Sequence, residues 1–128
     1  MKRILYIEDM VDNRDLVIQI LEGRFEVFTA SDGAEGLKAA LSLMPDLILM
    51  DVSLPVMDGL TCTRLMREDE RLKEVPIVAL SAHCMVGDRE KALEAGCDGF
   101  LSKPFRVAQL RELVTDFVAR GRGAAGQG

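Results

Sequence analysis

The sequence predicts an α/β fold, an open parallel sheet with helices on both faces. Three observations predict it. Short apolar runs alternate with longer amphipathic stretches five times along the chain. Most runs are near-continuous in apolar character, the mark of strands buried on both faces. The chain has 128 residues, 48% hydrophobic and 29% charged, which suits one globular domain able to bury a core without disulfides or a structural metal. Alternation of this kind closes through right-handed crossovers.

The elements follow in order. Ile4, Leu5, Tyr6 and Ile7 form the first run. Leu16, Val17, Ile20 and Leu21 then recur at helical spacing. Phe25-Glu26-Val27-Phe28-Thr29 alternates and suits a less buried edge strand. Asp32, with Glu35 three residues on, resembles a capping box before Leu37, Ala40 and Leu41, and Pro45 stops that helix. Leu47, Ile48, Leu49 and Met50 form the third strand, after which Asp58-Gly59 opens a helix carrying Leu60, Leu65 and Met66. Ile77, Val78, Ala79 and Leu80 form the fourth strand. The next helix runs from Gly87 to Ala95, with Gly96 in a left-handed C-terminal position. Gly99-Phe100-Leu101 is a short fifth strand. Val107, Leu110, Leu113, Val114, Phe117 and Val118 form the apolar stripe of the last helix. The domain is expected over residues 1–119, and residues 120–128, rich in glycine, read as a flexible tail.

Charge and cysteine content narrow the function. Lys plus Arg number 16 against 21 Asp plus Glu, a net charge of −5. That balance opposes nucleic-acid binding and anionic membranes, which both rest on neutralising phosphates. No apolar run approaches the roughly 20 residues of a membrane span. The basic start is followed by only four apolar residues and two acids, so it is no signal peptide. Cys62, Cys84 and Cys97 lack metal-like spacing and read as small semi-buried side chains in a reducing, cytoplasmic setting.

In such a sheet, ligands bind beyond the carboxyl ends of the strands. The first strand ends in Glu8-Asp9, the third in Asp51 and the fourth in Ser81, and the fifth runs into Lys103-Pro104. Three acids, a hydroxyl and an ammonium therefore converge on one edge. Clustered carboxylates repel one another and raise their own pKa values unless a cation joins them. All-oxygen ligands suit Mg²⁺, which accepts one or two carboxylates and keeps waters. The three acids carry −3, and one Mg²⁺ with Lys103 supplies +3. The set is a seat for a phosphoryl group, with a carboxylate as nucleophile and the cations offsetting charge on the transferring oxygens.

With these residues in place, the chain resembles the receiver domains of bacterial two-component response regulators, in particular single-domain chemotaxis and cell-cycle regulators. The likeness runs from Lys2 to Val118. It rests on Ile7-Glu8-Asp9, on Met50-Asp51 with Leu54-Pro55-Val56-Met57-Asp58-Gly59, on Leu80-Ser81-Ala82, and on Gly99-Phe100-Leu101-Ser102-Lys103-Pro104-Phe105. It implies a flavodoxin-like doubly wound sheet in strand order 2-1-3-4-5 with five helices. It also implies that Asp51 is the phosphoacceptor, fed by a histidine kinase or histidine phosphotransfer protein. Asp9, Asp51 and the Ser53 carbonyl would bind Mg²⁺ directly, and Glu8 through water. Lys103, the Ser81 hydroxyl and the Ala82 amide would contact phosphoryl oxygens, and the Lys103-Pro104 bond would be cis. Phe100 takes the switch position without a phenolic hydroxyl. Glu8 stands where Asp is commoner, and Ser81 where Thr is frequent.

The expected role is a phosphorylation-switched signalling protein that acts on an unknown protein target, as a monomer or weak dimer. It is no enzyme in the ordinary sense, since it catalyses only its own phosphorylation and a slow dephosphorylation flanked by Ser53 and His83. A receiver cut from a hybrid histidine kinase, serving as a phosphorelay station, is the alternative; Met1 directly before the first strand favours the stand-alone form. A phosphatase of the haloacid dehalogenase type needs an acid two residues after its nucleophile, where Ser53 stands. A nucleotide-binding flavodoxin-like protein is opposed by an acidic first loop without phosphate-cradling glycines.

Overall fold

The computed structural model describes residues 1–55, 57–82 and 86–121. Val56, His83, Cys84, Met85 and the chain beyond Gly121 lie outside the described residues, and with them the expectations for His83, for Cys84 and for most of the tail. Five strands form one parallel sheet in the order β2-β1-β3-β4-β5. They are β1 (Arg3–Ile7), β2 (Glu26–Ala30), β3 (Leu47–Asp51), β4 (Ile77–Ser81) and β5 (Gly99–Ser102). The helices are α1 (Val11–Leu21), α2 (Gly33–Leu43), α3 (Gly59–Glu68), α4 (Asp88–Ala95) and α5 (Val107–Arg120). A short 3-10 turn, Glu70–Leu72, precedes β4 and has no counterpart in the sequence expectations.

Strand alternation sorts the core into two layers. Ile4 and Tyr6 face the side covered by α1 and α5, where they meet Val17, Leu110 and Val114. Leu5 and Ile7 face the side covered by α2, α3 and α4, where they join Ala40, Cys62, Met66 and Ala92. Every residue of β3 and β4 is buried, whereas β2 and β5 at the edges are more open. That matches the contrast between continuous and alternating runs. Two expected stripe residues do not serve the core, since Leu16 and Val107 are exposed.

The helix ends follow their caps. Asp32 accepts a hydrogen bond from the Glu35 amide at 2.8 Å, and Asp58 accepts one from the Thr61 amide at 2.9 Å. α2 ends at Leu43, with Met44 in the left-handed region, one residue before Pro45. Gly96 closes α4 at φ 115°, and a Cβ there would also strike the Arg67 side chain.

Candidate functional site

Parallel packing brings the carboxyl ends of β1, β3, β4 and β5 to one edge of the molecule. Glu8 follows β1 and stays on the ladder, its amide donating to the Ala30 carbonyl at 2.9 Å. Asp51 is the last residue of β3, opposite Leu80 of β4. Its backbone lies against the start of α3. A Cβ on Gly59 would collide with the Asp51 carbonyl oxygen, so only glycine permits this approach. Lys103 directly follows β5 and is joined to Pro104 by a cis bond, and its amide donates to the Ser81 carbonyl at 2.7 Å.

Glu8, Asp9 and Asp51 come together, each offering a carboxylate oxygen within 4.8 Å of the others. Glu8 and Asp51 are buried and Asp9 is exposed. The Lys103 ammonium lies 2.9 Å from Glu8 Oε1 and 3.7 Å from Asp51 Oδ1, so it is nearer the glutamate. Asp51 Oδ1 also accepts from the Ser53 amide at 3.1 Å. Burial, and a hydrogen bond shared with Glu8, push Asp51 up to about 6. Burial pushes Glu8 the same way, but hydrogen bonds from Asp51 and Lys103 outweigh it and hold Glu8 well below the usual carboxylate range. The pair therefore gives up its last proton from Asp51 as pH rises through about 6.

The other expected residues surround this centre. Ser81 is buried at the end of β4, and Ala82 is exposed just beyond it. Ser81 and Phe100 share the wall of a cavity of about 110 Å³ with Val52 and Leu60. A second cavity of about 280 Å³ lies between α1 and Pro104, with Tyr6, Ala82 and Lys103 in its lining.

Sequence reasoning missed two donors to Glu8. The Tyr6 hydroxyl donates to Glu8 Oε1 at 3.0 Å, and the Asn13 amide nitrogen donates to the same oxygen at 3.2 Å. Strand periodicity held the signal for Tyr6, since residues two apart face the same side. Cys62 and Cys97 are buried, and burial pushes their thiols up to about 12 and about 11. They are inert small core residues. Among the described residues no helix is long and apolar enough to cross a membrane.

Three carboxylate oxygens, one per acid, suit a hard cation that keeps part of its water.

Known proteins resemble this chain. The family model for the response regulator receiver domain matches residues 4–115. Hybrid signal transduction histidine kinase G of Dictyostelium discoideum is 41% identical over 119 residues, 90% of this chain but 4% of that protein. The polar-differentiation response regulator DivK of Brucella ovis is 34% identical over 118 residues, 91% of this chain and 96% of that one. The receiver domain of sensor histidine kinase PA1611 from Pseudomonas aeruginosa superposes with a TM-score of 0.86 at 36% identity, covering 92% of this chain and 98% of that one. That receiver has a magnesium ion coordinated in its active-site cleft. A buried aspartate at the end of β3, near a lysine after β5, sits within a match that spans nearly the whole domain: the chain belongs to the response regulator receiver domain family.

Proposed function

We propose that Asp51 is the phosphoacceptor of this receiver, and that the domain ends with α5. The observation that carries the reading is the position of Asp51, buried at the end of β3 with an ammonium 3.7 Å away. Receiver domains work with histidine kinases or histidine phosphotransfer proteins. In the transfer, an Asp51 oxygen attacks phosphorus and the P–N bond to the partner's imidazole breaks. The imidazole keeps the bonding pair and takes a proton from solvent. Only the carboxylate is nucleophilic, and Asp51, raised to about 6, reaches that form as pH rises toward neutrality.

Asp9 and Asp51, with the Ser53 carbonyl, would hold Mg²⁺, with Glu8 acting through water. The bound ion offsets charge on the transferring oxygens. Lys103 leaves Glu8 for one phosphoryl oxygen, and the Ser81 hydroxyl and Ala82 amide take another. Ser81 and Phe100 line one cavity, so a shift of Ser81 changes the space open to the Phe100 ring. Phe100 then acts as a packing switch toward a protein target. The chain performs its own phosphorylation and a slow dephosphorylation, in the cytoplasm, as a monomer or weak dimer without nucleic acid.

Both the stand-alone regulator and the phosphorelay station fit this chemistry, and DivK, matched over 96% of its length, favours the first. With acetyl phosphate and Mg²⁺, intact mass spectrometry is expected to show one phosphoryl adduct, absent in Asp51→Asn. Equal labelling of that variant would refute the assignment.

A further inference from the structure

Glu8 is the most heavily engaged side chain of the acid cluster. Its Oε1 accepts from Tyr6, Asn13 and Lys103 at 3.0, 3.2 and 2.9 Å. Its Oε2 has the Met10 amide at 3.4 Å. Three donors on one oxygen fix the rotation of the carboxylate. They hold its charge in the corner where β1, α1 and Lys103 meet.

Tyr6 is the innermost of the three. It is fully buried, and it faces the α1 and α5 layer two residues before Glu8 on the same side of the strand. Its ring needs no hydroxyl to pack, yet the hydroxyl is aimed at the carboxylate that lies nearest the lysine, at 2.9 Å against 3.7 Å for Asp51. Glutamate has one methylene more than aspartate, which gives its carboxylate the length to fold back to that hydroxyl.

We propose that Tyr6 is a positioning residue that ties the Glu8 carboxylate to Lys103 and withholds it from a cation held by Asp9 and Asp51. This rests on the proposed Mg²⁺ seat. Asn13 supports the same oxygen from the first turn of α1. Glu8 is then the counter-ion of Lys103, and direct ligation falls on Asp9 and Asp51. A Tyr6 that merely fills the core would leave metal affinity untouched.

The test is Mg²⁺ titration of the intact chain, followed by calorimetry and by the NMR shifts of strand-end amides. Tyr6→Phe is expected to bind Mg²⁺ about tenfold more tightly than the parent, the low end of the factor set by losing one hydrogen bond to a charged group. In a Glu8→Gln background the same substitution is expected to change nothing, because the steered charge is gone. Asn13→Ala is expected to tighten binding in the same direction by less, and it decides the matter if Tyr6→Phe does not fold. Unchanged or weaker affinity in Tyr6→Phe, or an equal gain in the Glu8→Gln background, would overturn the inference. A parent that binds no Mg²⁺, or an Asp9→Ala variant that binds as the parent does, would instead overturn the seat itself and this inference with it.

Discussion

Among the described residues, two buried cation–carboxylate contacts lie at opposite ends of the sheet, and they are built differently. At the amino-terminal end of β4 and β5, Arg67 of α3 donates to Asp98 Oδ2 at 2.7 Å. Its remaining nitrogens reach the carbonyls of Gly96, Leu72 and Val75 at 2.9, 2.8 and 2.7 Å. Asp98 also takes the Ile77 amide at 2.9 Å. One positive charge meets one negative charge, and the guanidinium is enclosed by carbonyls. At the carboxyl-terminal end, three acids meet the single ammonium of Lys103. The first contact is closed and joins α3, the 3-10 turn, the end of α4 and the start of β5. The second is left with excess negative charge. Burial of a charge is a structural device where it is balanced, and a receptive site where it is not.

The largest effect expected from breaking this contrast is at the closed end. Removing one partner of a buried pair costs about 3–5 kcal/mol. Arg67→Met should therefore lower the urea midpoint sharply, and added Mg²⁺ should not restore it. A variant as stable as the parent would show that the clamp is dispensable.

Lys103→Met should cost less, because Asp51 can take up a proton and relieve the remaining charge. Here added Mg²⁺ should recover stability, by about 1.4 kcal/mol at ten times its dissociation constant. Chemical denaturation of both variants with and without Mg²⁺ checks the pair of outcomes, and equal responses to the ion would erase the distinction.

Asp9→Ala should weaken Mg²⁺ binding about tenfold, the loss of one carboxylate ligand, while barely changing stability. Asp9 is exposed, so its removal leaves nothing buried unpaired. Calorimetric titration reads the first quantity and thermal melting the second. A variant that melts much earlier would make Asp9 structural.

The smallest effect is a pH slope confined to the open end. Asp51 is raised to about 6, so its contribution to stability is fully present below the ordinary carboxylate range and is lost as pH rises through about 6. Glu8 is held down, so its contribution is present above the ordinary range and lost as acid protonates it. Without Mg²⁺ the two give greatest stability at about pH 4 to 5. Urea midpoints in chelator should fall from pH 5 to 7 in the parent and stay flat over that range in Asp51→Asn. Mg²⁺, which displaces the proton, should flatten the parent too.

The fold was legible because its signals are local. The apolar runs of β3 and β4 and the caps at Asp32 and Asp58 each announce themselves within a few residues. The acids, Ser81 and Lys103 were legible because strand ends can be counted. The Arg67–Asp98 clamp was not, because its partners are 31 residues apart and each looks alone like a surface charge. The 3-10 turn was hidden in a charged stretch whose only buried residue is Leu72. The nearer approach of Lys103 to Glu8 than to Asp51 was hidden as well, since it depends on side-chain reach across the edge rather than on strand position.

The tyrosine beside Glu8 has an optical consequence. The chain contains one tyrosine and no tryptophan, so its near-ultraviolet emission comes from Tyr6 alone. That ring is hydrogen-bonded to the carboxylate that neutralises Lys103, and burial and the Glu8 charge push its hydroxyl well above the ordinary phenol range. Whenever Lys103 leaves Glu8, the electron density on the oxygen facing the ring changes, and so does the quenching of its excited state. The protein carries its own fluorophore at the functional edge, and the state of that edge can be followed in real time without a label.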